Sequence, residues 1–221
     1  MTDNHLVKLI VDDRKIETQH GKSLLQACLD NYVYIPNLCH IEEMERPSSS
    51  CRLCFVEVNG IDQPVTACTV KVKDEMTVFT NTPEVRRLQK RAFRLLLSVH
   101  QVQCKTCPAN KQCELQRIAK FLKIGLKPGP LKVALKKDEI DQSHPFLDYY
   151  PNRCVLCGKC IEIDRIKNSQ ANLTFAKRGF NTTISFFGQN NRENISKKAL
   201  IPCVDICPVK AIVFKTGNPE S

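Results

Sequence analysis

Eleven of the thirteen cysteines, and one of the five histidines, fall at spacings that suit metal ligation. The first set is Cys39-x11-Cys51-x2-Cys54-x13-Cys68. The second is His100-x3-Cys104-x2-Cys107-x5-Cys113. The third is Cys154-x2-Cys157-x2-Cys160, followed far downstream by Cys207-Pro208. The third is the strongest signal, because a CxxCxxC run completed by a remote Cys-Pro is how bacterial [4Fe-4S] loops are built. Cys160 is followed by Ile161 and not by x3-C-P, so the run does not head a local two-cluster ferredoxin. In the first set a long loop brings one thiolate, a tight CxxC two and a later strand the fourth. Ser48, Ser49 and Ser50 are small enough to wrap a cluster closely. Plant-type [2Fe-2S] proteins use a shorter first spacing, so this loop must be longer. A four-cysteine zinc site is the alternative for the first set. One His with three Cys suits zinc equally well, and His100 could instead be a cation at a helix C-terminus. Beside the other two sets, an iron–sulfur cluster is the favoured reading. Three clusters in one small chain make more sense as a wire than as isolated centres.

Cys28 and Cys203 are left over. Cys28 falls on the apolar face of an expected helix and reads as a small buried hydrophobe. Cys203 lies four residues before Cys207, but no further ligands accompany it. The chain has no GxGxxG after a strand, no GxxxxGK[ST] and no nucleophile–base constellation, so no catalytic residue is expected.

The elements that must position these ligands are legible in outline. Residues 1–80 read as a β-rich domain with one helix. Leu6–Val11 and Lys15–Thr18 are strands about an Asp12-Asp13-Arg14 turn, and a helix capped by Ser23 carries Leu24, Leu25 and Cys28. Phe55–Val58, Val65–Ala67 and Thr77–Thr80 complete a small mixed sheet. Residues 81–125 read as helical and, with the linker beyond them, make up a second domain, 81–137. Thr82 caps a helix with Pro83 at its first position, and the period of Val85, Leu88, Ala92, Leu95, Leu96 and Val99 continues it. Helical spacing would place His100 and Cys104 on one face at its end. A shorter helix starts near Cys113, and 125–130 is a linker. In residues 138–221 a cysteine-rich loop precedes strands over Asn172–Ala176 and Thr182–Phe187. A short helix then leads to Cys207, and Ile212–Phe214 is a last strand. The fold class is α+β.

The composition narrows the setting. Only 42% of the 221 residues are hydrophobic and there is no Trp, so small domains stabilised by metal ligation are expected. The odd cysteine count, the dense CxxC pairs and an N-terminus without a signal-peptide pattern point to a reducing cytoplasm. No apolar run approaches the ~18 residues that would span a membrane. The net charge of +10 is uneven: residues 1–80 carry −4, 81–137 carry +12 and 138–221 carry +2. Deprotonated ligands on oxidised clusters would bring the assembled chain to about +5. The basic stretch has few aromatics and no nucleic-acid motif, so it reads as a solvated face, an offset for cluster charge or a docking surface.

The three sets, in this order, resemble one known arrangement. Tyr34-Ile35-Pro36-Asn37-Leu38-Cys39, Cys51-Arg52-Leu53-Cys54 and Val204-Asp205-Ile206-Cys207-Pro208-Val209 carry the likeness locally. The chain is similar to the N-terminal part of the large iron–sulfur subunit of respiratory complex I. It is also similar to the free-standing electron-transfer (gamma) subunit of the diaphorase in NAD-linked nickel–iron hydrogenases, and this is the favoured match. The resemblance implies a β-grasp [2Fe-2S] domain, a small helical domain with a His-ligated [4Fe-4S] cluster and a ferredoxin-like [4Fe-4S] domain, with the twelve residues above as ligands. It implies a relay between a flavin-bearing NAD(P)H-oxidising subunit and a second redox subunit, such as a hydrogenase small subunit. No nucleic acid and no membrane insertion are expected. Formate dehydrogenase, ferredoxin-linked transhydrogenase and complex I-like enzymes use similar parts. A zinc-stabilised interaction or nucleic-acid-binding protein is the alternative of another class.

Overall fold

The computed structural model describes residues 5–44, 46–168, 171–186 and 196–215. They gather in two units, Met1–Phe93 with Phe121–Ile124, and Arg94–Lys120 with Gly125–Ser221. The α+β expectation holds.

The first unit is built on a mixed sheet. Strands β1 (Leu6–Val11) and β2 (Arg14–Gln19) pair antiparallel, with Leu6 opposite Gln19 and Val11 opposite Arg14. Asp12 and Asp13 both take positive φ, at 46° and 67°. A two-residue hairpin needs that backbone, and Asp adopts it more readily than most residues. Helix α1 (Leu24–Asp30) starts at Ser23, whose hydroxyl accepts from the Gln26 amide. Strands β3 (Phe55–Val58), β4 (Val65–Thr66) and β5 (Thr77–Phe79) complete the order β2-β1-β5-β3-β4, with β1 and β5 parallel. Val7, Leu9 and Val11 alternate inward and share a core with Leu24, Leu25, Cys28, Ile35, Val56 and Val78. Each such side chain contributes roughly 1.5–3 kcal/mol on burial, so the sheet and helix form one firm body. Cys54 and Cys68 belong to the same core, which sets half of the first ligand set on rigid ground.

Helix α2 (Pro83–Ser98) begins as expected, with the Thr82 hydroxyl accepting from the Val85 amide at 3.2 Å. Its end corrects the expectation for His100 and Cys104. The final turns tighten to i→i−3 bonds, Val99 to Leu96 and His100 to Leu97, and the Gln101 amide leaves the helix for the Asn152 carbonyl. Cys104 therefore opens a separate 3-10 turn, Cys104–Thr106, and shares no helix face with His100.

Helix α3 (Glu114–Leu122) follows the second ligand set as expected. In the second unit, β6 (Leu147–Tyr149) pairs antiparallel with β9 (Ile212–Phe214), and β7 (Leu173–Ala176) with β8 (Thr183–Phe186). Phe187, the last residue of one expected strand, lies outside the described residues. Helix α4 (Lys159–Lys167) packs on α5 (Lys197–Asp205), and Ser196 caps α5 by accepting from the Ala199 amide. The sequence reads the cysteine-rich segment as loop alone, but its third cysteine, Cys160, already lies in α4. Gly158, at φ 78°, is the left-handed residue that starts that helix. Strand β6 was also not foreseen, since three residues carry too little alternation to read. Among the described residues no helix is long and apolar enough to cross a membrane.

Candidate metal centres

The structure gathers the first set at the edge of the sheet core. Cys39, Cys51, Cys54 and Cys68 are all buried. Cys54 leads into β3 and Cys68 follows β4, and the Ala67 amide donates to the Cys54 carbonyl at 2.8 Å, tying the two ends together. The Leu25 amide donates to the Ala67 carbonyl, so the start of α1 braces the same turn. Cys39 and Cys51 approach to 3.5 Å between sulfurs. The pairing with Cys51, with help from Ser48 and Ser50, pulls the Cys39 thiol down, while Cys51 is raised by that pairing and by burial. The same asymmetry relates Cys68, lowered by donation from Cys54, to Cys54, which is raised. Ser49 supports Cys68 and also meets the Thr66 hydroxyl at 3.2 Å. The expected wrapping by Ser48–Ser50 thus takes the form of hydroxyl donors to sulfur.

The backbone of this loop brings amide donors to sulfur, from Cys51 to Cys39 and from Leu38 and Leu53 to Cys51. Ser49 and Arg52 take positive φ, at 50° and 51°. Left-handed residues inserted among right-handed ones turn successive amide N–H groups to one side, and such concave arrays hold anions and iron–sulfur clusters.

In the second set, Cys104, Cys107 and Cys113 are half-buried. Burial raises the Cys113 thiol, and the charges of Cys107 and Cys104 raise it further, so the three thiols are electrostatic neighbours. The Cys107 amide donates to the Cys104 carbonyl, and Cys113 accepts from the Arg117 amide at the start of α3. The His100 tie is different: its Nδ1 lies 2.9 Å from the carbonyl of Arg153. Nδ1 must donate there, which leaves Nε2 unprotonated and able to bind a metal. Burial lowers the pKa of His100, which also favours the neutral ring.

The third set is brought together by the ends of two helices and a loop. Cys154 and Cys160 are buried, and Cys157 and Cys207 are partly so. Burial, then the charges of Cys154, Cys157 and Cys207, raises Cys160, and burial with the charges of Cys154 and Cys207 among its neighbours pushes Cys157 up to about 12. Thiols so buried need a cation or a cluster to lose their protons. Amide donors point at the sulfurs: Leu156 N lies 3.4 Å from Cys154 and Ala211 N lies 3.2 Å from Cys207. Leu156, the second residue between Cys154 and Cys157, sits at φ 52°, and the first set's CxxC also holds a left-handed residue, Arg52, at its first intervening position. The Tyr149 hydroxyl, missed by sequence reasoning, donates to Cys154 and accepts from the Ile184 amide at 3.2 Å. A tyrosine in a short strand gives no sequence signal of such a role.

The two spare cysteines behave as their sequence context implies. Cys28 is fully buried in the sheet core and its thiol is pushed up to about 12 by burial. Cys203 is fully buried on α5 and is pushed up to about 12 by burial and by the Asp164 charge. Among the described residues no three His, Cys, Asp or Glu side chains close on one point as ligands of a single ion would. What the sets share is donor type, burial and loop backbone, and in these respects they fit iron–sulfur clusters.

Comparison with known proteins points the same way. A family model for a 2Fe-2S iron-sulfur cluster binding domain matches residues 4–83, which include the first set. A second, for the NADH-ubiquinone oxidoreductase-G iron-sulfur binding region, matches residues 89–126, which include the second set. The chain is 29% identical over 210 residues to the NADPH-Fe(3+) oxidoreductase subunit alpha of Geobacter sulfurreducens, covering 95% of this chain and 24% of that one. It thus spans about a quarter of the length of the curated relative it matches first. The NAD-reducing hydrogenase HoxS subunit gamma of Cupriavidus necator is 27% identical over 218 residues, with 95% of this chain and 87% of that one covered. A solved chain of an NAD+-reducing [NiFe]-hydrogenase in the H2-reduced state superposes with a TM-score of 0.84 at 27% identity, over 95% of this chain and 88% of that one.

Proposed function

We propose that this chain, a relative of the gamma subunit of NAD-reducing hydrogenase along nearly its whole length, is an iron–sulfur electron relay in an NAD(P)H-linked oxidoreductase. Cys39, Cys51, Cys54 and Cys68 would hold a [2Fe-2S] cluster on a β-grasp domain, 1–80. His100, Cys104, Cys107 and Cys113 would hold a [4Fe-4S] cluster in a helical segment, 81–137. Cys154, Cys157, Cys160 and Cys207 would hold a second [4Fe-4S] cluster in a ferredoxin-like domain, 138–221. The observation that carries this reading is the pairing of buried thiols with left-handed loop residues. Arg52 and Leu156 each take positive φ inside a CxxC turn, Arg52 at the first intervening position and Leu156 at the second. Such backbone suits an anionic cluster.

The clusters would supply one-electron transfer. The residues of this chain hold them in place, keep water from the sulfurs and donate hydrogen bonds that set the potentials. Ser48, Ser50 and Tyr149 act in that way on their sulfur partners. The chain contributes no bond chemistry of its own. Partners would be a flavin-bearing NAD(P)H-oxidising subunit and a second redox subunit equivalent to a hydrogenase small subunit. The site would be cytoplasmic, without nucleic acid. The +12 balance of residues 81–137 suits docking to acidic partner surfaces. The likeness to a Geobacter subunit of an NADPH-linked enzyme supports a second reading, a relay of the same kind in an NADP-linked complex.

The test is reduction by NAD(P)H under anaerobic conditions, followed by the visible bleaching of the clusters. The purified chain alone should not be reduced. Addition of the flavin-bearing partner should allow reduction. NAD(P)H oxidation by the chain alone, free of flavin, would refute the relay assignment.

A further inference from the structure

Asp164 is a fully buried carboxylate that none of the roles above employs. It lies on α4, one turn after Cys160. Residues so spaced stack on one helix face with Cβ atoms about 5–6 Å apart. Each of its oxygens accepts two hydrogen bonds. Oδ2 receives the backbone amides of Asn172 and Leu173, the latter at 2.8 Å. Oδ1 receives the side-chain amides of Asn168 and Asn172, both at 2.8 Å. The Asn168 amide nitrogen also donates to the Ala199 carbonyl at 3.2 Å, which fixes its orientation. Backbone N–H groups cannot accept, so a proton on Oδ2 would have no partner and would displace a donor. All four partners are donors, the set that a carboxylate anion accepts. These four bonds come from neutral amides, which stabilise the charge without cancelling it.

Deleting a charge from water and placing it inside a protein is costly, so a carboxylate held this way exerts a strong field on its surroundings. That field is felt by the Cys203 thiol, which it helps to raise, and Cys160 of the third ligand set stands one turn away on the same helix face. Reduction of a cluster adds one negative charge. A fixed negative charge beside it disfavours that step and lowers the potential, since net charge is one of the determinants of cluster potential.

We infer that Asp164 is a positioning residue for electron transfer, whose buried charge holds the potential of the third cluster low. This rests on the relay reading and deepens it. His100, neutral where the other ligands are anionic, raises the potential of the second cluster for the same electrostatic reason. The two residues therefore push the clusters of the second unit apart in potential, so that an added electron rests on the second and visits the third only in transit.

The test is an anaerobic redox titration of the full chain followed by electron paramagnetic resonance, with iron content measured on the same samples. Asp164→Asn removes the charge, and its oxygen can still accept the two backbone amides. Asn168→Lys, at a half-buried position, leaves the carboxylate in place and sets an ammonium beside it. Both variants should raise the potential of the third cluster by more than they move either of the other two, with iron content unchanged. Should Asp164→Asn fail to fold, Asn168→Lys carries the test alone. A third cluster present at its original potential in a folded variant would overturn the inference, because a purely structural role costs stability and leaves the potential where it was. Absence of a third cluster in the unaltered chain would instead overturn the relay reading, and the two failures are distinguished by the iron count.

Discussion

The imidazole of His100 donates from Nδ1 to the backbone carbonyl of Arg153, 2.9 Å away, and Arg153 is the residue immediately before Cys154. One hydrogen bond thus joins a proposed ligand of the second cluster to the peptide that carries the first ligand of the third. It fixes the ring, selects the tautomer and leaves Nε2 for iron. A second tie runs in parallel: the Glu114 amide, next to Cys113, donates to the carbonyl of Pro208, next to Cys207. Within the second unit the two ligand sets are therefore coupled through backbone, not merely adjacent in sequence.

Replacing His100 by Cys tests the ligand role. A thiolate adds one negative charge to the cluster and loses the bond to Arg153. Iron content should be retained and the potential of the second cluster should fall. An unchanged spectrum and potential would remove His100 from the ligand set.

The spare thiols provide a second check. Cys28→Ala should keep all the iron and cost about 1 kcal/mol of stability from lost core packing, read in a denaturant titration. Cys203→Ala should likewise keep all the iron. Cys207→Ala should lose about four irons or convert the third cluster. Loss of a cluster in Cys203→Ala would mean that the wrong cysteine of that pair has been taken as the ligand.

Much of this was legible in the chain. The twelve donors stand out because CxxC spacing is set by local backbone, and the first-unit strands and Ser23 cap follow from alternation and hydroxyl chemistry. The end of α2 was not legible. Apolar periodicity runs through Val99, and only the departure of the Gln101 amide to Asn152, far along the chain, stops the helix before Cys104. Asp164 and Tyr149 were equally silent. Their importance comes from which amides and sulfurs they meet across the fold, and a single sequence records no such meeting.

Tyr149→Phe separates the two bonds of that hydroxyl. Loss of the donor to Cys154 should lower the potential of the third cluster, because a hydrogen bond to sulfur stabilises the more negative, reduced state. Loss of the acceptor strands the buried Ile184 amide, which should cost about 1–3 kcal/mol in stability. Redox titration and denaturant unfolding of the same variant read the two effects independently. A potential that stays fixed while stability falls would leave Tyr149 with a structural role only.

The central claim is that three clusters occupy this one chain, and the metal content of anaerobically purified protein tests it most directly. One two-iron and two four-iron clusters predict about ten irons per chain, about ten acid-labile sulfides and a brown protein with little zinc. A colourless protein with stoichiometric zinc and no labile sulfide would contradict the account at its root.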